Sequence, residues 1–205
     1  AAFDQARRVI DCAAELGAEL VVGPLFQQLG QFTGAGPTLA EQERCAAFLQ
    51  SLAPLARDAG LVIAVEPLNR FEAYVLNTSE QGIAMMRQVD DGAVGILHDT
   101  FHAHIEEKDP VAALDAVLAS GTLAHVHISE NDRGVPGSGH ARIAQAIALL
   151  EARGYDGWMT IEAFGRGVPE LAAATRVWRD FFADPREVYT EGYELISTCW
   201  ANAAT

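Results

Sequence analysis

The 205 residues are half hydrophobic and carry 28 Asp and Glu against 14 Lys and Arg, a formal net charge of −14. That length and apolar content can bury a sizeable core and exclude a largely disordered chain. Nucleic acid and anionic membrane surfaces are excluded as partners on the same numbers, because both need clustered Lys and Arg to displace counterions.

In chain order, Ala6, Val9, Ile10, Ala13 and Leu16 form one helical stripe over about residues 3–16, stopped by Gly17. The short run Leu20-Val21-Val22, bounded by Gly23-Pro24, predicts a buried parallel strand, and the glycine-bearing stretch 26–37 a long loop. Thr38 with Glu41 is a capping-box pattern that opens a helix to about Asp58. The cycle then repeats. Residues 61–65 read as a strand ending at Glu66-Pro67, and Thr78 with Gln81 as a second capping box before a helix to about Val89. Residues 94–97 read as a strand ending at His98-Asp99, and Asp109-Pro110 as the start of a helix that ends near Gly121. Residues 123–128 are a strand followed by a glycine-rich loop and a helix over about 141–153. Residues 158–161 are a strand ending at Glu162, and Pro169 opens a helix to about Phe182. A last helix covers about 185–199. Trp178, Phe181 and Phe182, at helical spacing, read as core, and Asp90-Asp91 and Glu106-Glu107 as solvated charge.

Cys12, Cys45 and Cys199 are odd in number and far apart, which suits buried thiols rather than disulfides or a thiolate zinc site. No apolar run reaches the roughly 18 residues of a membrane span and no basic-then-apolar leader opens the chain, so a cytoplasmic location is expected. The chain opens at Ala1 rather than at a methionine, which points to residues upstream.

Strand ends at 23, 66, 99, 127 and 162 are 28 to 43 residues apart, against about 31 for a barrel of about 250 residues divided by eight. Alternation alone fits a parallel barrel and a doubly wound sheet equally. The ionisable residues separate the two. Glu66, Asp99, His127 and Glu162 each stand at the C-terminal end of a strand, where the active sites of parallel barrels are built. Three carboxylates and an imidazole converging there repel one another unless a cation holds them, and that donor set suits Mn²⁺ or Mg²⁺, or Co²⁺, better than a structural zinc. Strand alternation puts Val62, Ala64 and Glu66 on one face, His125 with His127 on another strand's, and Thr160, Glu162 and Phe164 on a third. His125 reads as a core histidine one layer below His127. His98 is packed behind the sheet, and His104 and His140 are solvated.

Four segments together resemble a known family: Glu66-Pro67-Leu68-Asn69-Arg70-Phe71-Glu72; Asp99-Thr100-Phe101-His102 with Ile105-Glu106-Glu107; His127-Ile128-Ser129-Glu130-Asn131-Asp132-Arg133 with Pro136-Gly137-Ser138-Gly139; and Ile161-Glu162-Ala163-Phe164. In order and spacing they resemble the ketose 3-epimerases, the D-tagatose and D-psicose (allulose) 3-epimerases of the xylose-isomerase-like barrel superfamily. The resemblance implies a (β/α)8 TIM barrel in a single domain over 1–205, of which the five strands here are the fourth to eighth. Roughly 90 residues would make up the other three units. It implies an isomerase that inverts C3 of a free ketose of the tagatose, fructose, psicose or ribulose type, with Mn²⁺ the expected metal and Co²⁺ or Mg²⁺ the alternatives. By motif, Glu66, Asp99, His127 and Glu162 fall on the metal ligands, Glu66 and Glu162 also on the two catalytic acid/base residues, and Glu72, His102 and Arg133 on the residues that hold the sugar. A homodimer or homotetramer is implied as well. The loop from Gly23 to Gly30 departs from the Trp-Pro loop of some members, leaving Phe26 or Phe32 as the candidate apolar wall.

Two other readings stay open at this point. An aldose–ketose isomerase such as a hydroxypyruvate isomerase uses the same enediolate chemistry one carbon away, although Glu72 and Arg133 favour the epimerase. An incomplete barrel that binds sugar without turnover is the other, since an unclosed parallel sheet leaves strand edges exposed.

Overall fold

The computed structural model describes residues 1–204. Contacts divide the chain into two compact units, Ala1–His98 with Ala116–His125, and Asp99–Asp115 with Val126 onward.

The first unit begins with helix α1 (Ala2–Glu15), strand β1 (Leu20–Gly23), helix α2 (Leu39–Asp58), strand β2 (Val62–Val65) and helix α3 (Ser79–Val89). It includes strand β3 (Val94–Asp99) as far as His98, and the start of strand β4 (Leu123–Ile128). Both capping boxes form: the Thr38 and Thr78 hydroxyls accept the N–H of Glu41 and Gln81, whose side chains accept the N–H of the capping residues in return. These reciprocal bonds satisfy amide donors that a helix start otherwise leaves to water. Parallel pairing sets Leu20 to Gly23 against Val62 to Val65, and Ile63 to Val65 against Val94 to Ile96. On the other side of β3 the Ile96 N–H donates to Thr122 O at 2.7 Å. A Cβ on Gly95 would stand 2.7 Å from the Ala124 Cβ and 2.8 Å from Thr122 O, so this approach of β4 requires a glycine. Leu49, Leu52, Ile63, Val65, Leu76 and Ile96 lead the core of this unit.

The second unit holds helix α4 (Thr100–Glu106), the opening of helix α5 (Pro110–Ser120), the end of β4, helix α6 (Ile143–Ala152), strand β5 (Met159–Ile161), and helices α7 (Pro169–Thr175) and α8 (Pro185–Ala203). Asp109 starts α5 by accepting the N–H of Val111 and Ala112. Here β4 and β5 pair in parallel, His127 against Thr160 and Ile128 against Ile161. Helix α8 lies on β5 and α6, with Gly192 beside Ile161. The strands therefore follow chain order across one parallel sheet, β1-β2-β3-β4-β5.

Four expectations are corrected. Helix α4 was not expected: Asp99 ends β3 and at once caps the next helix, so strand and helix meet with no turn residues between them. Helix α7 stops at Thr175, where Arg176 takes a left-handed φ of 58°; Trp178 is therefore outside any helix and 71% exposed instead of core. Cys12 is exposed, while Cys45 is buried with its Sγ directed at Phe26 O. Asp91 is no solvated charge, since it pairs with Arg57 and accepts the Ala93 N–H. Among the described residues no helix is long and apolar enough to cross a membrane.

Candidate metal centre

Within the second unit, Asp99, His127 and Glu162 arrive from the ends of β3, β4 and β5. The pairing of His127 with Thr160 puts Glu162, two residues beyond Thr160, on the same face as the imidazole. His127 Nδ1 lies 3.4 Å from Asp99 Oδ2 and 3.5 Å from Glu162 Oε1. Those distances are long for hydrogen bonds. They match the spacing of donor atoms around a shared cation, since two ligands each about 2.1 Å from one ion sit roughly 3.0 to 3.5 Å apart. Two carboxylates and an imidazole, with Asp99 and His127 buried, are a donor set for a hard or borderline divalent ion.

Asp99 serves two structures at once. Its Oδ1 accepts the N–H of Phe101 and His102 at 2.7 and 3.1 Å, which caps α4, and its Oδ2 turns to the site. Burial alone raises its proton affinity, and is the largest single effect. The Arg133 guanidinium beside it, with the nearby imidazoles of His127 and His102 adding to its effect, outweighs burial and holds the carboxyl well below its usual range.

Arg133 is the hub of the cluster. Its Nη1 donates to Asp99 Oδ2 at 3.1 Å, to Ser129 Oγ at 2.8 Å and to Glu162 Oε2. Its Nη2 donates to His102 Nε2 at 3.0 Å. A guanidinium has no acceptor, so His102 accepts through Nε2 and carries its ring proton on Nδ1. The guanidinium lies 3.8 Å from the Phe101 ring centre and 5.1 Å from that of Phe164, close enough for cation–π attraction. Its backbone is left-handed at φ 64°, which costs a non-glycine residue roughly 1 to 2 kcal/mol. Two backbone bonds hold it there: Arg133 N–H to Glu130 O, and Phe164 N–H to Arg133 O, both 2.9 Å.

The second unit thus brings together five of the seven residues singled out in the sequence: Asp99, His102, His127, Arg133 and Glu162. The other two belong to the first unit. Glu66 is buried just past the end of β2, its N–H bonded to Gly23 O. Glu72 lies in the loop between β2 and α3, where its Oε1 accepts from Asn69 Nδ2 at 2.8 Å and its carbonyl takes the Gly30 N–H. In the loop after β1, Phe26 is buried and Phe32 is half exposed beside Tyr74.

Sequence reasoning missed three residues. Ser129 accepts from Arg133 and donates to Glu162 O, and Thr100 bonds Ser129 at both its N–H and its carbonyl. Glu130, fully buried, accepts three backbone N–H groups of the loop that follows it. An acid beside a strand-end histidine was the available signal for Glu130, but a charge in a loop ordinarily reads as solvent-facing.

A parallel α/β chain that gathers carboxylates and an imidazole at its strand ends, beside a buried arginine, defines a protein of the barrel class with its candidate site at the strand C-termini. The chain belongs to the xylose isomerase-like TIM barrel family, which residues 1–198 match. It is 36% identical over 189 residues to a probable ketose 3-epimerase of Synechocystis sp., covering 92% of this chain and 65% of that protein. Among solved structures it is similar to an L-ribulose 3-epimerase, with a TM-score of 0.93, 29% identity, and 99% of this chain against 68% of that one. A D-allulose 3-epimerase from Methylomonas sp. in complex with D-allulose gives 0.89 and 29%, over 96% of this chain and 68% of that one. The chain therefore spans just under two thirds of the length of the Synechocystis relative.

Proposed function

We propose that this chain carries the metal-binding and proton-transfer part of a ketose 3-epimerase. The donor set of the proposal is Glu66, Asp99, His127 and Glu162, Glu66 standing just past the end of β2 and Asp99 at the end of β3. Mn²⁺ is the proposed ion, with Co²⁺ and Mg²⁺ as alternatives. Such an ion, when bound, supplies positive charge for the oxyanion that develops beside the reacting carbon. The chain's own residues do the rest. Glu66 and Glu162 take and return the C3 proton from opposite faces of the sugar, exchanging roles with the direction of reaction, and an enediolate lies between the two transfers. Arg133 donates to the developing charge from a position already set by Ser129 and the two aromatic rings, so little reorganisation is needed at the moment of reaction. With Glu72, His102 and Arg133 orient the oxygens around C1 to C3.

One observation carries this reading: two carboxylates, an imidazole and an arginine packed together at strand ends in a chain whose relatives are named ketose, L-ribulose and D-psicose 3-epimerases. The test is C3 epimerisation of D-psicose, D-tagatose, D-fructose and L-ribulose with Mn²⁺, followed in ²H₂O. The expected result is a C3 epimer with deuterium at C3, lost on chelation and in Glu162→Gln. An aldose product would point to an aldose–ketose isomerase instead, and turnover indifferent to chelator and to Glu162→Gln would overturn the mechanism. The reading also places the protein in the cytoplasm as a homodimer or homotetramer, which light scattering on the purified protein tests for the oligomer.

A further inference from the structure

We propose that Glu130 is a positioning residue that sets Arg133 in the site through the loop it holds closed; the proposal rests on the role given to Arg133 above. The Glu130 side chain is 1% exposed. Its Oε1 accepts the N–H of Asn131 at 2.9 Å and of Ala141 at 2.8 Å, and its Oε2 accepts the N–H of Gly137 at 2.9 Å. One carboxylate therefore ties both ends and the middle of the 131–141 loop. A buried charge is costly unless its oxygens meet donors, and three main-chain N–H groups are strong charge-assisted partners for it.

The same residue reaches Arg133 through the main chain. Glu130 O accepts the Arg133 N–H, closing the turn in which Arg133 takes its left-handed φ. The carboxylates that Arg133 meets stand on other segments, Asp99 at the end of β3 and Glu162 just past the end of β5. A shift of the 130–141 loop would thus move the guanidinium and leave those two carboxylates in place. Loop closure also depends on Gly139: a Cβ there would stand 2.7 Å from Glu130 Oε1 and collide with Asn131 Oδ1, the oxygen that receives the His140 N–H. Glu130→Gln turns an amide N–H₂ against at least one backbone donor. Gly139→Ala keeps every polar group and displaces the Glu130 carboxylate and the Asn131 amide by bulk.

The experiment follows the ¹⁵N guanidinium signal of Arg133, assigned by its loss in Arg133→Lys, in the wild-type protein and both variants, beside steady-state kinetics. Both variants are expected to move that signal toward the position of solvent-exposed arginines. Both should raise KM for the ketose at least tenfold with a smaller change in kcat, and the Glu130→Gln factor should vanish in an Arg133→Ala background. An unchanged Arg133 signal in the folded variants, or the same Glu130→Gln factor with and without Arg133, overturns the proposal. Should Glu130→Gln not fold, Gly139→Ala decides. If the wild-type protein epimerises no ketose, the proposed function falls, and the Arg133 signal alone then judges the positioning.

Discussion

The two oxygens of Asp99 have separate partners, Oδ1 the amides that open α4 and Oδ2 the side chains Arg133 and His127. Asp99→Asn keeps an oxygen for the cap but turns an amide N–H₂ toward a guanidinium that cannot accept from it. Breaking a buried pair from one side costs about 3 to 5 kcal/mol, and the part of that loss not relieved by the retained cap should appear as a lower urea midpoint. Arg133 invites a second substitution. A lysine carries the charge but has no fork, so it cannot serve Asp99, Ser129, Glu162 and His102 together. Arg133→Lys is expected to lower kcat/KM by about 10² while the melting temperature changes little, since a single positioned donor of this kind is worth about 10²–10³. A loss below threefold in steady-state assays would show that the charge alone suffices. Arg133 was legible as a site residue only through the His127 to Arg133 motif. Its left-handed backbone and its polar partners were not, because three of the four partners, Asp99, His102 and Glu162, stand 34, 31 and 29 residues away in sequence.

At the scale of elements, the helix starts were the most legible features, since a cap and its partner lie within three residues of each other. The Thr38 box is reinforced from outside by the Tyr74 hydroxyl, which donates to Glu41 Oε1 at 2.7 Å. Thr38→Ala should cost about 1 kcal/mol, read from urea denaturation. The backbone N–H of Thr38, then the Tyr74 and Thr38 hydroxyls, lower the Glu41 carboxyl from 4.5 to about 2. A carboxyl depressed in the folded state contributes stability above its unfolded value and loses it as pH falls through the folded one. The wild-type protein should therefore lose stability between pH 4.5 and 2 relative to Glu41→Gln, measured as the gap between their urea midpoints across that range; a constant gap would count against the capping role. Helix ends were less legible. The pattern that carried α7 on to Phe182 could not register that Arg176 turns left-handed, after which Val177 is buried and its N–H bonds Ala172 O.

For the whole molecule, the acidic balance and the metal proposal meet in one measurement. An ion that binds only the folded state raises stability by about 2.7 kcal/mol when its concentration is a hundred times its Kd. Added Mn²⁺ should raise the melting temperature, chelation should reverse this, and His127→Ala should abolish the response. A shift that persists in His127→Ala would place the ion elsewhere on this acidic surface. By itself the sequence determined the alternation of five strands and helices, their caps, and the polar residues at the strand ends, because each of these is written within a few neighbouring residues. Only the tertiary structure decided that Asp99 caps a helix as well as facing the site, that Ser129 and Thr100 brace the cluster, and that a buried Glu130 holds the loop bearing Arg133. Thr100 with Ser129, and Arg133 with Asp99, join segments 29 and 34 residues apart, while the Asp99 cap and the Glu130 bonds reach nearby main-chain N–H groups; the geometry of all of them follows from strand register and loop path, which no local pattern records.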